Sequence, residues 1–202
     1  MPSDPTGPPT RSTWLTSPLV ARLQAAATRL RFLLAAPALA LLVIFTDRGP
    51  MWPGVAVALF GEAIQISASA HLRKNAELVN SGPYGWVRNP MYVGRFFVGL
   101  GLALLTWRWF LIAPYVVIFC LYAQARVLGE EARLRGLFGE DFDSYCRRVR
   151  RWLPCPPRPP LSDARWSWEC VLRNHELRVA AAVIIGLLLL KWRLGAWGPL
   201  WD

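Results

Sequence analysis

Three blocks of residues stand out for the chemistry they could support. The first is Glu77-Leu78-Val79-Asn80-Ser81-Gly82-Pro83-Tyr84 and the second is Arg88-Asn89-Pro90-Met91-Tyr92-Val93-Gly94. The third joins Arg126, Glu130 and Glu131 to Phe138-Gly139 and Tyr145. Gly82-Pro83 marks a turn. Pro90 disfavours helical backbone at Asn89, so a helix is predicted to start just after it. Two roles compete at that start. Asn89 caps the helix with its side chain, or the free amides there bind an anionic group such as a carboxylate. Arg126 and Glu130 are four apart and share a helix face. They form an ion pair at a membrane boundary, or a cationic anchor for an acidic group beside a carboxylate that hydrogen-bonds a ligand. Glu131 points elsewhere on the same helix and reads as solvated.

Other chemistries are poorly served. Cys120, Cys146, Cys155 and Cys170 form no CxxC pair and no zinc spacing, and only His71 and His175 are present. No metal centre or disulfide framework is expected, and Cys120, inside an apolar run, reads as a small buried hydrophobe.

The elements that must position these blocks are apolar. Of 202 residues, 54% are hydrophobic and 18% charged, with a formal net charge of +10. A soluble domain carries about 25% charged residues. A basic balance points to nucleic acid or to an anionic membrane face. The apolar segments select the membrane and its lipids, and no nucleic-acid partner is expected. Five spans are predicted: Leu30–Thr46, Met51–His71, Met91–Thr106, Phe110–Leu128 and Val179–Leu194. The first, third and fifth are short and call for tilt or local thinning. Residues 1–28 form a flexible basic tail, 29–154 a membrane core, and 155–202 a Pro-rich linker with an extra C-terminal membrane helix. The fold class expected is all-α and polytopic.

With the N-terminus inside, eighteen of the 23 Lys and Arg residues fall on the inner side, four on the outer side, and Arg95 within a span. This asymmetry puts the three blocks in the cytoplasm. Trp52, Trp107, Trp109, Trp192 and Trp197 then fall at outer interfaces, and Trp86 and Trp152 at inner ones. Glu62 and Arg95 lie inside apolar spans, where a charge costs at least ~2.5–3.5 kcal/mol, so each is a functional candidate unless the two snorkel or pair. Phe142, Tyr145, Val149 and Trp152 recur at helical spacing opposite Arg147, Arg148, Arg150 and Arg151. That pattern predicts an amphipathic helix lying on an anionic inner leaflet, stopped by the prolines from Pro154 onward.

At these residues a resemblance appears. The Gly-Pro-Tyr turn, Arg88-Asn89-Pro90-Met91-Tyr92-Val93-Gly94, the Glu130-Glu131…Leu134…Phe138-Gly139 pattern, and Tyr145, Val149, Arg151 and Pro154 resemble the isoprenylcysteine carboxyl methyltransferase family, bacterial members included. Phospholipid N-methyltransferases share the module. The match runs from about Gly61 to Pro154. The resemblance implies a membrane-embedded methyltransferase that uses S-adenosylmethionine on a hydrophobic acceptor. Carried over by position, Glu77, Leu78, Val79 and Tyr84 correspond to a cofactor-contacting stretch, and Asn89, Pro90, Met91 and Tyr92 to the next. Glu130 corresponds to a cofactor-binding carboxylate, and Arg126 to an arginine that meets the substrate. Arg95 is added as a substrate-side candidate, and Arg126 and Glu130 are the candidate catalytic pair. The family often has His where Asn89 stands. Asn keeps a neutral donor but does not titrate near neutral pH, which argues against a general base there. Eukaryotic members have His at the position of Ala76.

Methyl transfer from a sulfonium is an in-line displacement for which a protein supplies alignment and a dry site. A carboxylate acceptor needs no base, and Arg126 suits it. An amine acceptor must lose a proton, for which Glu130 or Glu131 is available. Two other readings compete: a non-catalytic basic membrane anchor or assembly protein, and a nicotinamide-dependent membrane reductase on a related scaffold.

Overall fold

A computed structural model describes residues 40–46, 50–73, 77–156, 165–174 and 176–193. The tail 1–28, most of the first predicted span, the centre of the Pro-rich linker and Trp197 lie outside these residues. Among these residues six helices follow a helical stretch over 40–45: α1 (Trp52–His71), α2 (Pro83–Trp86), α3 (Pro90–Leu104), α4 (Trp109–Arg148), α5 (Trp168–Arg173) and α6 (Glu176–Arg193). Among the described residues there is no strand, so the all-α expectation holds there.

Among the described residues two helices, α1 and α4, are long and apolar enough to cross a membrane, and α3 is apolar but has only 15 residues. They correspond to the second, fourth and third predicted spans. The fifth predicted span falls on α6 (Glu176–Arg193, 18 residues), except for Leu194, which lies outside the described residues. Pro sits at the N-terminal turn of α1, α2 and α3, where its missing N–H costs nothing and its fixed φ favours helix.

The core of the fold is the α1–α3 pair. Small residues let the two backbones meet. A Cβ on Gly61 would stand 2.5 Å from the Val98 amide nitrogen and 2.6 Å from the Gly94 carbonyl. A Cβ on Gly101 would collide with the Ala58 amide. Such stripes of small residues are the usual solution where helices pack without much hydrophobic driving force. The C-terminal helices dock on α1. Asn174 Nδ2 donates to the Ser69 and Leu72 carbonyls at 3.2 Å each, and the Ser167 amide donates to the Ala70 carbonyl at 3.0 Å. Leu187 and Leu190 pack with Met51 and Leu105 at the other end of α6.

Helix α4 does not run straight. At Gly139 the backbone enters φ 51, ψ −122, a conformation that glycine adopts most readily, and the helix resumes to Arg148. Above this break, Trp109, Val117, Ile118 and Leu121 are exposed. Cys120 is exposed on the same stretch, against the expectation of burial. The residues after Gly139 also differ from expectation. Phe142, Tyr145 and Val149 are buried and pack with Leu78, Leu134 and Phe138. Their apolar face is therefore covered by the chain itself and is not a membrane-facing surface, while Arg147, Arg148 and Arg150 are exposed. Helix α4 ends at Arg148 with extended backbone at Val149, ahead of the prolines. Trp152 is likewise turned inward. Its indole donates to Gln124 Oε1 at 3.1 Å and packs near Tyr92 and Val127.

Candidate functional site

The three blocks meet around one cavity of about 480 Å³, within the usual range for small-ligand sites. All eleven residues singled out from the sequence line it: Glu77, Leu78, Val79, Tyr84, Asn89, Pro90, Met91, Tyr92, Arg95, Arg126 and Glu130. They come from the 77–89 loop with α2, from the start of α3, and from the middle of α4.

The spacing along α4 explains its contribution. Tyr122, Arg126, Glu130, Leu134 and Phe138 recur every four residues and all line the cavity, as one face of a helix requires. Tyr92, in the first turn of α3, links this face to the second block. Its hydroxyl donates to Glu130 Oε1 at 3.0 Å, and Arg126 donates a hydrogen bond to the same hydroxyl. Arg95, one turn later, is exposed and holds its guanidinium carbon 5.3 Å from the Tyr92 ring centroid. Arg126 and Glu130 are thus joined through Tyr92. Glu62 is buried, and neither of its carboxylate oxygens has a hydrogen-bond partner among the described residues.

Glu131 corrects the expectation of a solvated side chain. It is buried, and it accepts from Arg151 Nη2 at 2.6 Å and Nε at 3.0 Å, and pairs with Arg88 Nη1 at 3.2 Å. A carboxylate with two guanidinium partners is compensated for its lost hydration. The Arg88 amide donates to the Arg150 carbonyl at 2.9 Å, and the Cys155 amide to the Trp86 carbonyl at 2.9 Å. Together these contacts fasten the second block to the segment that follows α4.

Asn89 occupies the N-cap position of α3 but makes no side-chain cap. Its Nδ2 donates instead to the Arg151 carbonyl at 3.3 Å. Of the two roles open to it from sequence, capping is therefore not taken, and Asn89 is another tie to the post-α4 segment. Tyr145 donates to the Tyr84 carbonyl at 2.8 Å. Burial pushes both phenols well above their ordinary range, and the Glu130 charge adds to the effect at Tyr84. Burial also raises the Cys146 thiol, against the opposing influence of Arg88, which donates to its Sγ at 2.7 Å.

Sequence reasoning missed several lining residues. Tyr122 and Leu134 were signalled by the four-residue rhythm of Arg126 and Glu130. Asn174 and Glu176 carried no local signal, because only the docking of α5 and α6 on α1 brings them to the cavity. Among the described residues no group of three or more His, Cys, Asp or Glu side chains could hold a metal ion.

The phospholipid methyltransferase family matches residues 54–141. Protein-S-isoprenylcysteine O-methyltransferase of Xenopus laevis is 30% identical over 113 residues, 50% of this chain and 39% of that protein. Cobalt-zinc-cadmium resistance protein CzcN of Cupriavidus metallidurans is 32% identical over 133 residues, 64% of this chain and 58% of that protein. Nickel-cobalt-cadmium resistance protein NccN of Alcaligenes xylosoxydans xylosoxydans is 36% identical over 104 residues, 50% of this chain and 46% of that protein. The chain thus spans between about two fifths and three fifths of these relatives. The matched segment carries α1 from Gly54 onward, α3, most of α4 and every cavity residue of the three blocks up to Phe138, and over it the chain is similar to the phospholipid methyltransferases and the isoprenylcysteine O-methyltransferases.

Proposed function

We propose that this chain is a multi-pass membrane methyltransferase of the bacterial type, using S-adenosylmethionine to methylate a lipidic or otherwise hydrophobic acceptor. The observation that carries the reading is the convergence of all eleven motif residues on one cavity, with Tyr92 joining Arg126 to Glu130. The lining suits the cofactor chemically. Leu78, Val79 and Met91 offer an apolar wall, Tyr84, Tyr92 and Tyr122 offer aromatic faces, and Glu77 and Glu130 offer acceptors. When bound, the cofactor supplies an activated methyl group.

This chain's own residues then do the rest. Glu77, Leu78, Val79 and Tyr84 hold the cofactor from one side, and Asn89, Pro90, Met91 and Tyr92 from the other. The Glu130 carboxylate is the acceptor for a donor group of the cofactor, and Tyr92 fixes its orientation. Tyrosine faces favour a neighbouring cation modestly. Arg126 and Arg95 face the acceptor side, where Arg126 orients the incoming group. The exposed apolar length of α4 above the cavity suits contact with lipid tails, so that an acceptor enters sideways from the bilayer. The excess of Lys and Arg on one side of the spans supports a cytoplasmic cavity.

Titration of S-adenosylmethionine into the detergent-solubilised protein tests this reading. Saturable binding that weakens in Glu130→Ala and Tyr92→Ala is the expected result. A well-folded wild type that does not bind the cofactor overturns it.

A further inference from the structure

The last carbonyls of a helix find no partner within it. At the end of α1 the partners come from about a hundred positions away. Asn174 Nδ2 donates to the Ser69 and Leu72 carbonyls, and the Ser167 amide donates to the Ala70 carbonyl. The segment around α5 thus clamps the end of α1, from which the chain runs on into the first block.

His71, the last residue of α1, sits among these ties. Its Nδ1 lies 2.8 Å from the Ser67 carbonyl. A carbonyl only accepts, so Nδ1 is the donor and the ring is held in orientation. Trp166 meets that ring edge-on, with centroids 6.0 Å apart and planes at 87°, and Trp168 in turn meets Trp166 at 5.4 Å and 83°. The imidazole also lies directly against Gly82. A Cβ on Gly82 would stand 2.6 Å from Nε2, 2.7 Å from Cδ2 and 2.8 Å from Cε1. Gly82 has φ 54 and ψ −134, so conformation and space both call for glycine there. It makes the turn between Leu78 and Val79 on one side and Tyr84 on the other, all three of which line the cavity. Trp166, His71 and Gly82 do not line it. Trp166 also lies outside the matched segment 54–141.

We propose that Trp166 is a positioning residue for the cofactor side of the cavity. It braces His71, and His71 sets the Gly82 turn that presents Leu78, Val79 and Tyr84. The proposal rests on the methyltransferase reading and adds to its site a part of the chain beyond the matched segment.

The test uses the full chain in detergent with Trp166→Ala, Trp166→Phe, His71→Ala and the Trp166→Ala/His71→Ala double variant. S-adenosylmethionine affinity is measured beside amide hydrogen exchange, which reports local opening. The informative amides are Tyr84 and Gly85, which donate to the Ser81 and Gly82 carbonyls, and those of α3 serve as the reference. Trp166→Ala is expected to weaken cofactor binding about three- to tenfold, the worth of one aromatic pair. It is expected to speed exchange at Tyr84 and Gly85 and to leave α3 unchanged. Trp166→Phe keeps an aromatic edge and is expected to restore both. His71→Ala is expected to match Trp166→Ala, and the double variant to be no worse than either, because the two residues act in series. Trp166→Leu carries the same test if Trp166→Ala does not fold. The proposal is overturned if Trp166→Ala keeps wild-type affinity and exchange, or if α3 exchanges faster in step with the turn, since Trp166 would then be a general prop. Additive losses in the double variant overturn it as well. Failure of wild type to bind S-adenosylmethionine would sink the methyltransferase reading itself, while exchange, which needs no ligand, would still decide whether Trp166 holds the turn.

Discussion

The Tyr92 hydroxyl donates a 3.0 Å hydrogen bond to Glu130 Oε1 and so joins α3 to α4 across the wall of the cavity. A hydrogen bond to a charged group is worth about 1.5–3 kcal/mol. Tyr92→Phe keeps the ring and removes the donor. It is expected to weaken S-adenosylmethionine binding by roughly ten- to a hundredfold, with little change in thermal unfolding. Isothermal titration checks this, and an unchanged affinity would show that Glu130 needs no such support.

Arg126 shares the Tyr92 hydroxyl but faces the acceptor side in our reading. Arg126→Ala is expected to lower turnover by at least about tenfold at saturating cofactor, with a smaller effect on cofactor affinity. Comparing kcat with the cofactor Kd tests that division. Equal losses in both would assign Arg126 to the cofactor instead.

Glu131 holds Arg88 and Arg151, and removing one member leaves two guanidinium groups without their carboxylate. Breaking a fully buried pair costs about 3–5 kcal/mol. Arg151 is 30% exposed, so Glu131→Gln is expected near the lower end, about 3 kcal/mol, read as a clear drop in Tm. The cavity should suffer with it, because Arg88 and Asn89 are tied to the same segment.

The phenols of Tyr84 and Tyr145 titrate above the ordinary tyrosine range in the folded chain because they are buried. Above about pH 10 the unfolded chain loses these protons while the folded chain keeps them. The folded state then binds more protons than the unfolded one, so stability falls as pH rises. Below about pH 10 the contribution is fully present. Thermal unfolding between pH 8 and pH 11 should show the decline, and Tyr145→Phe should make it shallower.

Much of the site was legible because its residues sit at short, regular spacings. Arg126 and Glu130 share a face by helix geometry alone, and Pro90 placed the start of α3 correctly. Glu131 was misread because helix spacing says where a side chain leaves the axis, not what comes to meet it. Its partner Arg151 lies twenty positions away and arrives only through the bend at Gly139. The same bend explains Phe142 and Tyr145. Their amphipathic pattern was real, but periodicity does not distinguish a face buried by lipid from one buried by protein. Capping was one of two roles open to Asn89, favoured by local preference, and the Arg151 carbonyl is a competitor from afar. Glu176 was beyond reach, since nothing in its neighbourhood announces a cavity assembled by tertiary docking.

The glycine seam between α1 and α3 fixes the cavity's frame by backbone contact, whereas the chemistry is carried by side chains on other faces. A side-chain substitution in the cavity therefore leaves the seam untouched, whereas a substitution in the seam moves the frame. Tyr122, Glu176 and Arg95 line the cavity without taking part in the seam. Gly61 and Gly101 cannot be enlarged without prising the helices apart. Overpacking of this kind costs about 1–3 kcal/mol. Gly61→Ala is therefore expected to lower Tm, whichever acceptor the chain serves. The placement of the cavity thus depends on the smallest residues of the chain, which touch none of its contents.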